Sequence, residues 1–201
     1  ITFSLYIMSL EPIDYFFCFG DYFVAISLAI LFFRAWQKNL LPRYLIKAFM
    51  IGCLIGSTWE FTFHFLGDEF LYAVKQWPLG LSGWPKKLSH SIWDGGLFMA
   101  GVWLCFKYLS QQPLFTRFSW RELGIMEAWG IFQELLVEYL FNGRVWVYNE
   151  LSWNPVIIPP LPGSATTVGY TLIPQAVWVV AQHLSLHPDT LGYQVIDHGS
   201  R

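Results

Sequence analysis

Glu60 and His64 stand four residues apart in one apolar run, and His90 and Asp94 repeat that spacing in the next. Residues four apart share a helix face, so each pair would be presented together. A further run carries Glu127, Glu134 and Glu138, separated by seven and four and therefore again on one stripe. Asp21 enters an earlier run, and Tyr170 and Gln175 enter a later one. Ionisable groups at membrane depth are expensive and are retained where they face one another or a cavity. The pattern therefore predicts a buried polar centre capable of moving protons.

Two chemistries suit these residue types. In the first, a carboxylic acid in apolar surroundings donates a proton to an alkene or epoxide, and a second, ionised group later accepts one. Glu60 or Asp94 fits the acid, with Glu134 or His64 as base or orienter. Trp59, Trp93 and Trp129 neighbour polar positions and could steady a developing carbocation with their ring faces. Asp21, Glu138 and Tyr170 complete the expected substrate-facing set. In the second chemistry, Glu60, His64, His90, Asp94, Glu134 and Glu138 bind iron, manganese or zinc. The usual di-metal bundle pattern is Glu-x-x-His, whereas the pairs here are four apart. The metal-free reading leads, and no cofactor is expected. The plainer alternative is structural: Glu–His pairs can hold helices together, and Glu127 and the tryptophans can simply pack.

The elements that must position these groups are long and apolar. Hydrophobic residues make up 55% of the 201 residues and charged residues 13%, a membrane composition. Eighteen Phe, eleven Trp and ten Tyr suit aromatic belts and a greasy pocket. The expected fold is an all-α, polytopic membrane helix bundle of about five transmembrane helices, at 14–33, 44–66, 89–109, 121–141 and 165–186. Runs of about 20 residues cross a hydrocarbon core as helix, because backbone groups in lipid must pair internally. Pro12 and Asp14 precede the first span, Pro42 opens the second, Ser89 is placed to cap the third, and Pro174 should kink the fifth. Residues 1–186 form a single bundle in this reading, and 187–201 a polar tail.

Arg34, Lys38, Arg43 and Lys47 flank one connection, and Lys107, Arg117 and Arg121 another on the same side. The opposite side holds Lys75, Lys86, Lys87 and Arg144. The positive-inside rule then puts the N terminus outside or in the lumen and the C terminus in the cytoplasm. The loops at 67–88 and 142–164 fall on the outer side, the first as a covering turn and the second as a Pro-rich lid. In this topology Asp21, Glu60, Asp94, Glu134 and Tyr170 lie about 8–11 Å below one surface, at 1.5 Å per residue. His64, His90 and Glu138 lie slightly above them. One polar pocket opening to the non-cytoplasmic side is expected.

A net charge of -2 without a dense basic cluster excludes a nucleic-acid footprint. Cys18, Cys53 and Cys105 have no metal-like spacing and read as packing residues. The opening run lacks a basic segment and a small-residue cleavage site, so it is not read as a signal peptide. An integral membrane protein of the endoplasmic reticulum or a bacterial inner membrane fits equally. The absence of an internal repeat makes transport unattractive.

Trp59–Glu60 followed by Trp93–Asp94 resembles the small integral-membrane terpene cyclases. That resemblance implies a general-acid role for Glu60 and for Asp94 on an isoprenoid or epoxide substrate. Those cyclases have about seven helices and a further acid in the last, whereas 165–186 contains no carboxylate. Glu60, His64, Glu134 and Glu138 also resemble the acid and histidine set of the sterol-isomerase-like membrane fold. Both resemblances imply carbocation chemistry on a lipid. The expected activity is isomerisation or cyclisation of an isoprenoid or sterol-like lipid, with membrane lipids around the chain. The alternatives are a non-catalytic lipid-binding protein, a structural subunit of a membrane complex or homo-oligomer, and a metal-dependent membrane enzyme.

Overall fold

The computed structural model describes residues 10–67, 72–74, 77–109, 114, 119–149, 151–152, 155–158 and 161–162. Four long helices form a bundle: α1 (Pro12–Gln37), α2 (Arg43–Leu66), α3 (Trp84–Tyr108) and α4 (Trp120–Phe141). Four short strands accompany them: β1 (Tyr72–Val74), β2 (Trp146–Tyr148), β3 (Val156–Ile158) and β4 (Leu161–Pro162). Helices α1 and α2 are long and apolar enough to cross a membrane. At 1.5 Å per residue they reach about 39 Å and about 36 Å. The expected fifth span at 165–186, with Tyr170, Pro174 and Gln175, and the tail at 187–201 lie outside the described residues.

Helix starts follow the sequence closely where Pro12 and Pro42 mark them. Pro12 occupies the first turn of α1, and Asp14 Oδ2 accepts a hydrogen bond from the Glu11 backbone at 2.9 Å. Pro42 is the N-cap of α2, and Ser89 is not a cap at all. Helix α3 begins at Trp84, after Gly83 and with Pro85 in its first turn, five residues before the expected start. Lys86 and Lys87 read as loop charges in sequence, yet the first turn of α3 buries both. Ser119 caps α4, its hydroxyl accepting from the Glu122 backbone at 3.4 Å.

Helix α3 is the centre of the bundle and packs against α1, α2 and α4. Its contact with α2 is the most intimate, and glycines are the reason. A Cβ built on Gly52 would come within 3.0 Å of Gly95 Cα, and one on Gly95 within 2.9 Å of the Phe49 carbonyl oxygen. A side chain at Gly56 would collide with the Asp94 carboxyl group. Gly52 and Gly56 are four apart, the small-residue spacing that lets helix backbones approach in a membrane.

Two apolar clusters fill opposite ends. Ala48, Phe98, Val102, Cys105 and Met126 pack where α2 starts and α3 ends. Cys18, Trp77, Phe141, Val145 and Trp146 pack where α1 and α3 start and α4 ends. The loop segments around 72–74 and 146–148 meet over this second end. Strands β1 and β2 pair antiparallel, with Tyr72 opposite Tyr148 and Val74 opposite Trp146. Strands β3 and β4 form a second antiparallel pair. The expected covering turn and Pro-rich lid are thus partly β structure, a small cap on a helical bundle.

Candidate functional site

The first turns of α3 carry a cluster that spans three helices. Lys87 Nζ lies 3.1 Å from Glu60 Oε2 on α2, and both side chains are buried. His90 Nδ1 lies 3.3 Å from Glu60 Oε1 and 3.4 Å from Lys86 Nζ. The other ring nitrogen of His90, Nε2, lies 3.5 Å from Asp21 Oδ1 on α1. Asp21 is held from two further directions: Ser89 donates to its Oδ2 at 2.6 Å, and Trp93 Nε1 donates to its carbonyl at 3.0 Å. Burying these charges is tolerable because each has an opposite charge or a donor in reach. Lys86 also stands over the Trp77 ring, 5.3 Å from its centroid.

Asp94 lies one turn further along α3, against Gly56. Its Oδ2 is buried and makes no hydrogen bond among the described residues. It stands within electrostatic reach of Glu60, Glu134 and Asp21. Glu134 receives a hydrogen bond from Gln133 Nε2 at 3.4 Å. Glu138, one turn on, is buried beneath the cap: Trp146 Nε1 donates to Oε2 at 3.1 Å and Tyr148 Oη to Oε1 at 2.6 Å. Among the described residues, no three His, Cys, Asp or Glu side chains are arranged to hold a metal ion.

The structure therefore brings together Asp21, Glu60, His90, Asp94, Glu134 and Glu138. It leaves His64 aside, half-buried near the end of α2, with a ring contact to Phe65 as its interaction among the described residues. Trp93 and Trp129 spend their N–H groups on backbone carbonyls, Trp129 on Leu97 at 2.8 Å, and so pin α1 and α4 to α3. Trp59 is half-buried next to Glu60, and Glu127 sits two turns before Glu134 on α4. Four participants escaped the sequence reading: Lys86, Lys87, Ser89 and Trp77. A signal for one of them was present, since Lys86, His90 and Asp94 continue one stripe at four-residue spacing.

The cap is tied down on a second side. Arg144 Nε donates to Asp14 Oδ1 at 3.1 Å, and its Nη2 donates to Glu11 Oε2 at 2.8 Å. These two acceptors push the Arg144 pKa up, the Asp14 hydrogen bond most strongly. An apolar groove of about 260 Å³ lies beside the cluster, lined by Cys18, Phe19, Tyr22, Ile26, Pro78 and Leu81. It does not touch the acids. Tyr22 closes its inner wall, with its ring edge on Trp77 and its hydroxyl donating to the Leu81 carbonyl at 2.6 Å.

No family model matches the chain, and no curated protein and no solved structure matches it either.

Proposed function

We propose that the chain is an intramembrane isomerase or cyclase for an isoprenoid or sterol-like lipid. The observation that carries this reading is the contrast between two neighbouring carboxyl groups. Glu60 Oε2 stands 3.1 Å from the Lys87 ammonium and Oε1 3.3 Å from His90 Nδ1, whereas Asp94 has a buried oxygen with no hydrogen-bond or ion-pair partner among the described residues. Such a contrast separates acid from base. Asp94 gives its carboxyl proton to an alkene carbon or epoxide oxygen of the lipid. The resulting carbocation rearranges and loses a proton to the Glu60 carboxylate. Bonds and charge balance without a redox partner. Lys87 holds Glu60 in place, and Glu134 adds a further acid.

The test is conversion of a panel of isoprenoid epoxides and unsaturated sterols by protein in lipid nanodiscs made up in heavy water. One carbon-bound solvent deuterium in the products of alkene protonation, and for either substrate type an Asp94→Asn rate lower by about 10²–10⁴-fold, are expected, the usual worth of a positioned acid. An Asp94→Asn variant as fast as the parent, or no conversion across the panel, overturns the reading.

A structural or lipid-binding subunit is the second reading, favoured by the exposed apolar side chains of α1, among them Phe16, Phe19, Phe23 and Leu31. In that case lipid or partner binding survives Asp94→Asn.

A further inference from the structure

His90 is flanked by carboxylates on both ring nitrogens. Glu60 Oε1 from α2 stands 3.3 Å from Nδ1, and Asp21 Oδ1 from α1 stands 3.5 Å from Nε2. Neither carboxylate needs the imidazole to hold it. Asp21 is anchored to α3 by the Ser89 hydroxyl and carries the Trp93 indole on its carbonyl, and Glu60 is anchored to the same helix by Lys87. The contacts of His90 are the long ones of the cluster, at 3.3 to 3.5 Å, while the Ser89 and Lys87 contacts are 2.6 and 3.1 Å. A side chain placed only for cohesion would be expected to make the short contacts.

Neutral imidazole is also the side chain that donates from one nitrogen while accepting at the other. The remaining groups facing the ring are Lys86, 3.4 Å from Nδ1 on the same helix, and the edge-on Trp77 ring. Each ring nitrogen thus faces a different carboxylate: Nδ1 is within hydrogen-bond reach of Glu60, while Nε2 stands at ion-pair distance from Asp21 and makes no hydrogen bond among the described residues.

We infer that His90 relays protons between Glu60 and Asp21. In the outward direction, Nδ1 takes the proton that Glu60 carries, giving an imidazolium, and Nε2, brought into line with Asp21 Oδ1 by a small turn of the ring, then releases its proton to that carboxylate. Glu60 ends ionised, Asp21 ends protonated, and the ring ends neutral with its proton on Nδ1. Tautomer exchange returns the ring proton to Nε2 before the next turnover. The inference deepens the acid–base reading of this cluster and rests on it for its purpose, since a base that has accepted a proton must be emptied before the next turnover. Its test needs no substrate.

The experiment is nitrogen-15 solid-state NMR on the full chain, labelled at its five histidines and held in lipid nanodiscs. The His90 signals are assigned by their loss in His90→Gln. The parent should show both tautomers in exchange. Asp21→Asn leaves Glu60 as the carboxylate acceptor and should move the proton to Nδ1. Glu60→Gln leaves Asp21 and should move it to Nε2. The same tautomer in both variants, or signals unmoved by either, overturns the relay. Should a variant misfold, the parent alone decides: a ring locked in one tautomer at every temperature sampled also overturns it. Failure of lipid turnover with exchanging tautomers would instead sink the enzymatic reading and leave the relay standing.

Discussion

Lys87 on α3 and Glu60 on α2 form a buried ion pair, Nζ to Oε2 at 3.1 Å, beside the glycine-lined contact of the two helices. Desolvating two charges costs several kcal/mol each, and their mutual attraction offsets this only while both remain. Removing the ammonium alone strands the carboxylate. Lys87→Met should therefore lower stability by about 3–5 kcal/mol, the usual cost of breaking a buried pair. The double variant Lys87→Met, Glu60→Gln should lose clearly less than the sum of the single changes. Unfolding titrations of all three in mixed micelles check this, and additive losses would mean the pair carries no coupling.

The closeness of α2 and α3 makes a second expectation, at Gly95. A Cβ there meets the Phe49 carbonyl oxygen at 2.9 Å and the Cys53 backbone nitrogen at 3.1 Å. Both are backbone atoms, so no side-chain rotation relieves the overlap, and α2 must shift. Gly95→Ala should cost about 1–3 kcal/mol, as overpacking does. Gly124→Ala on α4, where a Cβ meets nothing within 4 Å, should instead gain about 0.5–1 kcal/mol from helix propensity. Opposite signs in the same melting assay identify packing, not glycine itself, as the cause.

How legible this arrangement was depended on distance along the chain. The apolar runs of α1, α2 and α4 located those helices within a few residues, helped at α1 and α2 by Pro12 and Pro42, which act locally. The start of α3 was missed because charge was read as exposure, while the partner that buries Lys87 lies on another helix. Spacing alone also treated His64 and His90 alike. Successive four-residue steps on a straight helix drift by about 40°, so a stripe begun at Gly52 and Gly56 has turned well away by His64. Which side faces α3 is set by the close approach at Gly95, a tertiary fact absent from the local pattern. The β1–β2 pair was illegible for the same reason: three-residue strands carry too little alternation to declare themselves.

Tyr148 Oη donates to Glu138 Oε1 at 2.6 Å and so fastens β2 to α4. Tyr148→Phe keeps the ring and removes the donor, leaving a buried acceptor short of one partner. A loss of about 1–3 kcal/mol is expected. Amide hydrogen exchange in 146–148 should quicken while the α2–α3 interface stays protected. Uniform loss of protection would mean the cap and bundle unfold as one unit.

The other fastening of the cap is partly open to solvent, with Arg144 half-buried and Glu11 exposed. Arg144 bridges Asp14 and Glu11, and these acceptors raise its pKa above the ordinary guanidinium value. A basic group raised on folding contributes stability that is complete below its unfolded pKa and fades only as pH climbs through the folded one. For an arginine that window lies in strong alkali, so its own titration leaves the clamp unchanged from about pH 6 to 9. Salt is the better lever, because exposed pairs are screened within about 8–10 Å at physiological strength and less at higher salt. Arg144→Gln should speed proteolysis of the cap at low salt, and raising salt should move the parent part of the way toward the variant. A proteolysis rate in the parent that ignores salt but follows pH between 6 and 9 would point to a different group holding the cap in place.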